Sequence, residues 1–418
     1  MTRGSELLAD GERALAAGDS ERAYEVLCRA RDAGVGDEDV PRLAAALGTA
    51  ARFVGRHADV LDWIEQVLAG AADPVNRARF ERARVAVCRQ VDVRRVLSVA
   101  DGALAAAEAV GDQEAYAEVL SHVAFAAYRS GDRRTAARCA TEAETRTFSS
   151  QSAQYDALRA RMFAAILQGH SELALSLSKA ARDVALATGR RADAANESNN
   201  IAETLLELGR PEAARDEATV AAELARETGH RQVESFARVL MALATAECGN
   251  LDPALDMLAR VPEQVVNHMF AVDAAAAEAF WLLERGAAGD AARARDVAGA
   301  AIEEARGVGA SNKLTHLYSA LARAHARTGD ADAARAALEL ARRSLDKTEP
   351  SAELYLALAF TEVFPVTEAA RRTALGNARS RILRAASRRD DPRAYCLRVR
   401  VHRRLLELSG GVPADLLA

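Results

Sequence analysis

The sequence carries none of the short signatures that announce catalysis. There is no G-x-x-x-x-G-K-[ST] phosphate loop, no H-E-x-x-H, no G-x-S-x-G elbow and no dinucleotide fingerprint after a strand. The phosphate cradles and activated nucleophiles those motifs supply are therefore not on offer. Ser176-Leu177-Ser178-Lys179 has the S-x-x-K spacing, but it stands alone, without the S-D-N and K-T-G that accompany it in enzymes. The five cysteines (Cys28, Cys88, Cys139, Cys248, Cys396) are scattered and odd in number, with no C-x-x-C pair. That excludes a disulfide framework and a thiolate zinc site, and suits small buried residues in a reducing cytosol. Long apolar runs are missing too: nothing nears the roughly 20 residues of a membrane span, and Met1 to Glu6 lacks a signal-peptide core. Aromatics are 5% of the chain, and only three lysines (Lys179, Lys313, Lys347) stand among many arginines, as in a high-GC bacterial genome. The expectation is a cytoplasmic, non-enzymatic protein with no cofactor, no metal and no membrane contact.

Charge narrows the partners. The net charge of −5 and pI near 6.0 argue against a general nucleic-acid coating, which needs a basic face. The exception is the stretch from Arg371 to Arg404, where twelve arginines face only Asp390 and Asp391. It reads as a solvated basic cap, and it is the one place where direct nucleic-acid contact stays open.

What is present is a beat. Gly18, Gly55, Gly131, Gly169, Gly209, Gly249, Gly289 and Gly329 are each followed five residues later by Ala23, Val60, Ala136, Ala174, Ala214, Ala254, Ala294 and Ala334. Twelve residues past each anchor stand Ala30, Val67, Ala143, Ala181, Ala221, Val261, Ala301 and Ala341. Weaker joints at Val91 and Pro365 complete the register, with spacings of 36 to 40 residues. A period of this length is a helical hairpin repeated. The glycine ends one helix in the left-handed region and an Asp, Ser or Asn begins the next, as in Gly249-Asn250-Leu251-Asp252-Pro253, where Asp252 is placed to cap. Gly111, Gly189, Gly229 and Gly309, twenty residues past a joint, stop the second helices. The alanines form one stripe that lets paired helices approach closely.

The expected fold is all-α: a right-handed α-solenoid of about ten hairpins plus a C-terminal capping helix over 394–408. One solenoid spans 1–408, with less regular repeats over 1–150, regular ones over 151–345 and a basic end over 346–408; 409–418 reads as a frayed tail.

These units resemble tetratricopeptide repeats of a forty-residue variety. The small residue that family places eighth in the unit is here Gly11, Gly48, Ala124, Ala202, Ala242 and Ala322, while Met162 and Leu282 depart from it. The opening Asn199-Asn200-Ile201-Ala202 is similar to repeats of kinesin light chains and bacterial signalling ATPases. The resemblance implies a scaffold or sensor whose inner groove is lined by places two, five, nine, twelve and thirteen of each first helix. On this chain those places give Tyr128 and Arg129, Arg159, then Asn196, Asn199, Glu203 and Glu207, and a second polar row of His316, Ser319, Arg323 and Arg327. Asparagine amides both donate to and accept from an extended backbone. Exposed aromatics beside an arginine, Phe125 and Phe163 among them, suit a peptide unless they pack in the core.

The implied function is a non-catalytic scaffold holding a protein segment or peptide in its groove, in bacterial regulation or assembly. The alternatives are a peptide- or ligand-sensing module acting with a separately encoded DNA-binding or ATPase partner and, remotely, a solenoid enzyme. The polar run 145–152, with Gln151 where a glycine is expected, reads as a partner-contacting loop or a plain linker.

Overall fold

A computed structural model describes residues 3–17, 19–54, 56–71, 73–91, 93–264, 268–307, 313–345, 351–365 and 367–414. Among them are twenty-two helices and no strand. Ten consecutive pairs run α1 (Arg3–Ala16) and α2 (Ser20–Ala33), α3 (Val40–Val54) and α4 (His57–Gly70), α5 (Pro74–Val91) and α6 (Val93–Ala109), α7 (Gln113–Ser130) and α8 (Arg133–Thr145), α9 (Gln151–Gln168) and α10 (Ser171–Ala187). They continue as α11 (Arg191–Glu207) and α12 (Pro211–Glu227), α13 (Arg231–Glu247) and α14 (Leu251–Gln264), α15 (His268–Arg285) and α16 (Asp290–Gly307), α17 (Leu314–Arg327) and α18 (Ala331–Arg343), α19 (Ala352–Val363) and α20 (Ala369–Ala386), followed by α21 (Pro392–Leu397) and α22 (Arg400–Leu408). The chain forms two compact units, residues 1–197 with 224–231, and residues 198–223 with 232–418. Gly18, Gly55 and Gly309 lie outside the described residues.

The beat has the packing cause expected of it. The residue five past each joint, from Ala23 to Ala334, is at most 1% exposed. First helices of successive hairpins pack side by side, α3 on α5, α5 on α7 and α7 on α9 in the first unit, α15 on α17 and α17 on α19 in the second. Across each joint, bulk on one helix is matched by a gap on the other. A Cβ on Gly11 would lie 2.5 Å from Leu27. At Met162, where the family's small residue is missing, the facing position is Ser178, buried, with its hydroxyl 2.9 Å from the Met162 sulfur. Interiors at crystal-like density tolerate such exchange only if the summed volume holds.

Leu282 has a different explanation. The left-handed glycine that ends α15 is Gly286 (φ 69°), three residues before Gly289. Counted from Gly286 the eighth place is Ala279, fully buried. The turn has three extra residues, closed by Asp290, whose carboxylate accepts from the Ala287 N–H at 2.8 Å and from Arg285.

Four expectations need correction. The helix expected to start behind an Asp252 cap begins at Leu251, with the Ala254 N–H donating to the Asn250 carbonyl; Asp252 instead takes Arg285 at 2.6 Å. The single cap over 394–408 is two short helices. Asp391 caps the first, donating nothing and accepting from the Ala394 N–H at 2.8 Å. The second begins afresh because the Arg400 N–H donates to the Glu247 carboxylate at 2.9 Å rather than to a helical carbonyl. The tail is tied down through residue 411, since the Gly411 N–H donates to Leu406 and Arg379 donates to the Ser409 and Gly411 carbonyls. Finally, the basic end is largely committed to the fold: Arg371 holds the Thr361 and Phe364 carbonyls, Arg381 pairs with Glu353 and Arg398 with Glu212.

Candidate functional site

In the first unit α5, α7, α9 and the start of α11 carry a network of charge and aromatic surface. Arg82 pairs with Glu118, and Glu118 Oε1 lies 3.5 Å from His122 Nε2. Arg159 Nε stands 3.1 Å from Glu197 Oε1, which also accepts from the Tyr155 hydroxyl at 3.1 Å; Asp156 is 3.8 Å from Arg159. Burial sets the protonation states. His122 is held down to about 4, hence neutral at pH 7. Because Arg89 can only donate, the His122 Nδ1 that stands 3.4 Å away accepts, and the ring proton sits on Nε2 toward Glu118. Burial opposes the charge on Glu118, but His122 and Arg82 outweigh it and keep it ionised. Asp156, buried with Glu118 nearby and despite Arg159, is pushed up to about 7.

That leaves Arg89 over. Its contacts are the His122 nitrogen and the face of Phe125, 4.7 Å from the ring centroid. No carboxylate of the described residues is within salt-bridge reach. Burial, and after it the Arg159 charge, pull its pKa down to about 10. Phe125 meets Phe163 edge-on at 5.2 Å and Tyr128 stacks on Phe163 at 6.0 Å. Phe163 is buried, Phe125 and Tyr128 are half-buried, and Arg129 at the end of α7 is exposed. Arg89, Phe125, Tyr128 and Phe163 thus form a cationic end and an apolar wall on one face.

The second unit is built differently. Arg323, 3% exposed at its side chain, donates to Glu284 at 2.7 Å and to Glu362 at 2.8 Å. Arg327 donates to both Glu362 oxygens and to the Leu283 carbonyl. Glu284 also accepts from Arg400 Nε at 2.8 Å. The C-terminal segment therefore lies against α13, α15 and α19, with the Ala394 carbonyl pressed on Gly209. Glu247, half-buried, is pushed up to about 7 by burial.

The expected groove residues separate accordingly. Tyr128 and Arg159 come together around Phe163, Arg159 lying 5.4 Å from its ring, with Arg129 one residue beyond Tyr128. Asn196 is exposed but its amide donates to the Ala192 carbonyl of its own helix. Asn199 is not on an exposed face: it is 3% exposed and donates to the Val233 carbonyl at 3.1 Å, which ties α11 to α13. Glu203 and Glu207 are exposed. His316 and Arg323 do not line an open groove; His316 contacts Ser351 Oγ at 3.0 Å and packs on Tyr355, and Arg323 is locked between two glutamates. The run 145–152 is anchored, with Phe148 buried, Ser150 capping α9 and Arg146 3.9 Å over Tyr116 beside a cavity of about 310 Å³. Sequence reasoning missed Arg82, Arg89 and Arg400. Counted from Val91, Arg89 falls on place thirteen of α5, while Arg82 falls on place six, which is not a groove place.

No family model and no curated protein matches the sequence. Solved structures do. A Rap protein complexed with Competence and Sporulation Factor aligns over 99% of this chain and 98% of its own, at TM-score 0.51 and 12% identity. The chain has a tetratricopeptide-like helical-repeat fold. Weaker likenesses are NprR in complex with its cognate peptide NprX (90% and 99% covered, TM-score 0.48, 14% identity) and the human IFIT1 dimer with m7Gppp-AAAA (92% and 94%, 0.45, 11%).

Proposed function

We propose that this protein is a non-catalytic scaffold or sensor that binds a peptide or protein segment on the inner face of its first unit, in bacterial regulation. The observation that carries the reading is the face itself: an arginine without an acidic partner beside a half-open aromatic wall. Aromatic area supplies binding energy and a guanidinium supplies orientation. A Rap protein of the same fold, solved with Competence and Sporulation Factor, fits this reading. Catalysis is not part of it: Arg82 and Glu118, and Arg159 and Glu197, are engaged with each other, which leaves Arg89 to hold a ligand. Asn196, exposed on α11, is a candidate rim contact of this unit, and a cytoplasmic setting is part of the proposal.

The test is retention of N-acetylated random hexapeptides by the folded protein, read by mass spectrometry, beside Tyr128→Ala. Losing the wall's outer ring should lower retention about tenfold, as for a central aromatic contact. Equal retention by both proteins would move the site elsewhere; no retention at all would end the peptide reading.

A further inference from the structure

Resting on that reading, the structure points to the chemistry of the ligand. Arg82 pairs with Glu118, and Arg159 with Glu197 and Asp156; Arg89 is the guanidinium that none of these carboxylates reaches. A half-buried guanidinium with only an imidazole nitrogen and a ring face for company is poorly matched, and a planar anion would complete it through the two-pronged geometry arginine offers. We infer that Arg89 is the anchor for a carboxylate of the bound peptide, with the neighbouring apolar residue laid on Phe125 and Tyr128.

The surroundings select among anions. Arg89 has no carboxylate within salt-bridge reach among the described residues, so its place takes one negative charge. The ionised Glu118 and the nearby Asp156 repel a phosphate dianion, and a chain of net charge −5 offers no track for a nucleic-acid backbone. A carboxylate carries a single charge and two oxygens at the spacing of the fork. It can be the peptide's own terminus or an Asp or Glu side chain; both present the same group.

Three pools of N-acetylated hexapeptides separate the sources: free C-terminal acids lacking Asp and Glu, C-terminal amides with one Asp or Glu, and amides with no acid. Each is equilibrated with wild type, Arg89→Gln and Arg89→Lys after thermal unfolding confirms that all three are folded. Wild type is expected to retain one of the first two pools about tenfold over the acid-free amides, the loss that accompanies removal of one charged hydrogen-bonded pair. Arg89→Gln should level the pools and Arg89→Lys keep part of the preference. Equal retention of acid-free amides, unchanged by Arg89→Gln, would overturn the carboxylate anchor while leaving peptide binding intact. No pool retained by folded wild type would overturn both readings, and unfolding of Arg89→Gln would place the guanidinium among the contacts that hold the fold.

Discussion

In the second unit, Arg323 and Arg327 share Glu362, Arg323 also holds Glu284, and Glu284 in turn takes Arg400 from the C-terminal segment. In the first, Arg82 closes on Glu118 and Arg159 on Glu197 and Asp156, and Arg89 has no carboxylate within reach among the described residues. The two units use the same hairpins and the same inner places, yet in one the charges are matched within the chain and in the other they are not. The difference separates residues that hold the array from residues available to something outside it. Buried ion pairs add little net stability, but losing one partner strands the other in a poor solvent.

The largest expected effect follows from that asymmetry. Arg323→Ala would leave Glu284 and Glu362 buried together with one cation fewer, and should cost about 3–5 kcal/mol by denaturant unfolding. A cost below about 1 kcal/mol would mean the row is solvated after all, and the contrast between the units would fail.

Next comes the seat of the C-terminal segment. Gly209 sits at φ 71°, and a Cβ there would lie 2.3 Å from the Ala394 carbonyl oxygen. Gly209→Ala therefore combines a disfavoured backbone with a collision, about 1–3 kcal/mol. Hydrogen exchange should speed up in 392–408 and remain unchanged in 113–168. Uniform change across both stretches would show that the segment is not a local element of the second unit.

Much of the fold was legible in the sequence because its cause is local. A left-handed glycine, a capping Asp and an alanine stripe act within one hairpin, so Gly131-Asp132 and Gly329-Asp330 could be placed from sequence, and their caps are made as expected, to Thr135 and Ala333. The failures have one physical root, which is that helix ends are also decided by what docks on them. Arg400 interrupts the last helix because Glu247, 153 positions away, takes its N–H. Gly289 misplaced the end of α15 because the turn holds three extra residues. The site was harder still. Place numbers put Asn199, His316 and Arg323 on the inner side, but whether such a residue meets solvent or a neighbouring hairpin depends on partners one repeat away, Val233, Ser351 and Glu362. Arg89 stands on place thirteen counted from Val91, but nothing local to α5 says that its neighbours from the next hairpin, His122 and Phe125, bring it no carboxylate.

A pH experiment sharpens the comparison further. Glu247 rises from 4.5 to about 7 in the folded protein, so between those values the native state keeps a proton that the unfolded chain has lost. Its contribution must then fall as pH rises through that window, and the penalty is complete above about 7. Glu247→Gln keeps an acceptor for the Arg400 N–H without the charge. It should match wild type near pH 5 and exceed it at pH 8 by on the order of 1 kcal/mol, discounted because water reaches the half-buried group. The reverse order, wild type more stable at pH 8, would show that the Glu247 charge is a needed counterion to Arg400.

The smallest effect is the most discriminating. Arg89→Gln removes a cation that strands no acid, keeps a donor for His122 Nδ1 and preserves most of the packing on Phe125. Losing a charge that burial already disfavours should leave stability within about 0.5 kcal/mol of wild type, or raise it slightly. Arg323→Gln beside Arg89→Gln puts the same question to two arginines, one with acidic partners inside the chain and one without. If Arg89→Gln instead costs 2 kcal/mol or more, Arg89 supports the array as Arg323 does, and the first unit has no charge to spare for a ligand. A near-zero cost together with lost peptide retention is the combination that only a binding residue produces.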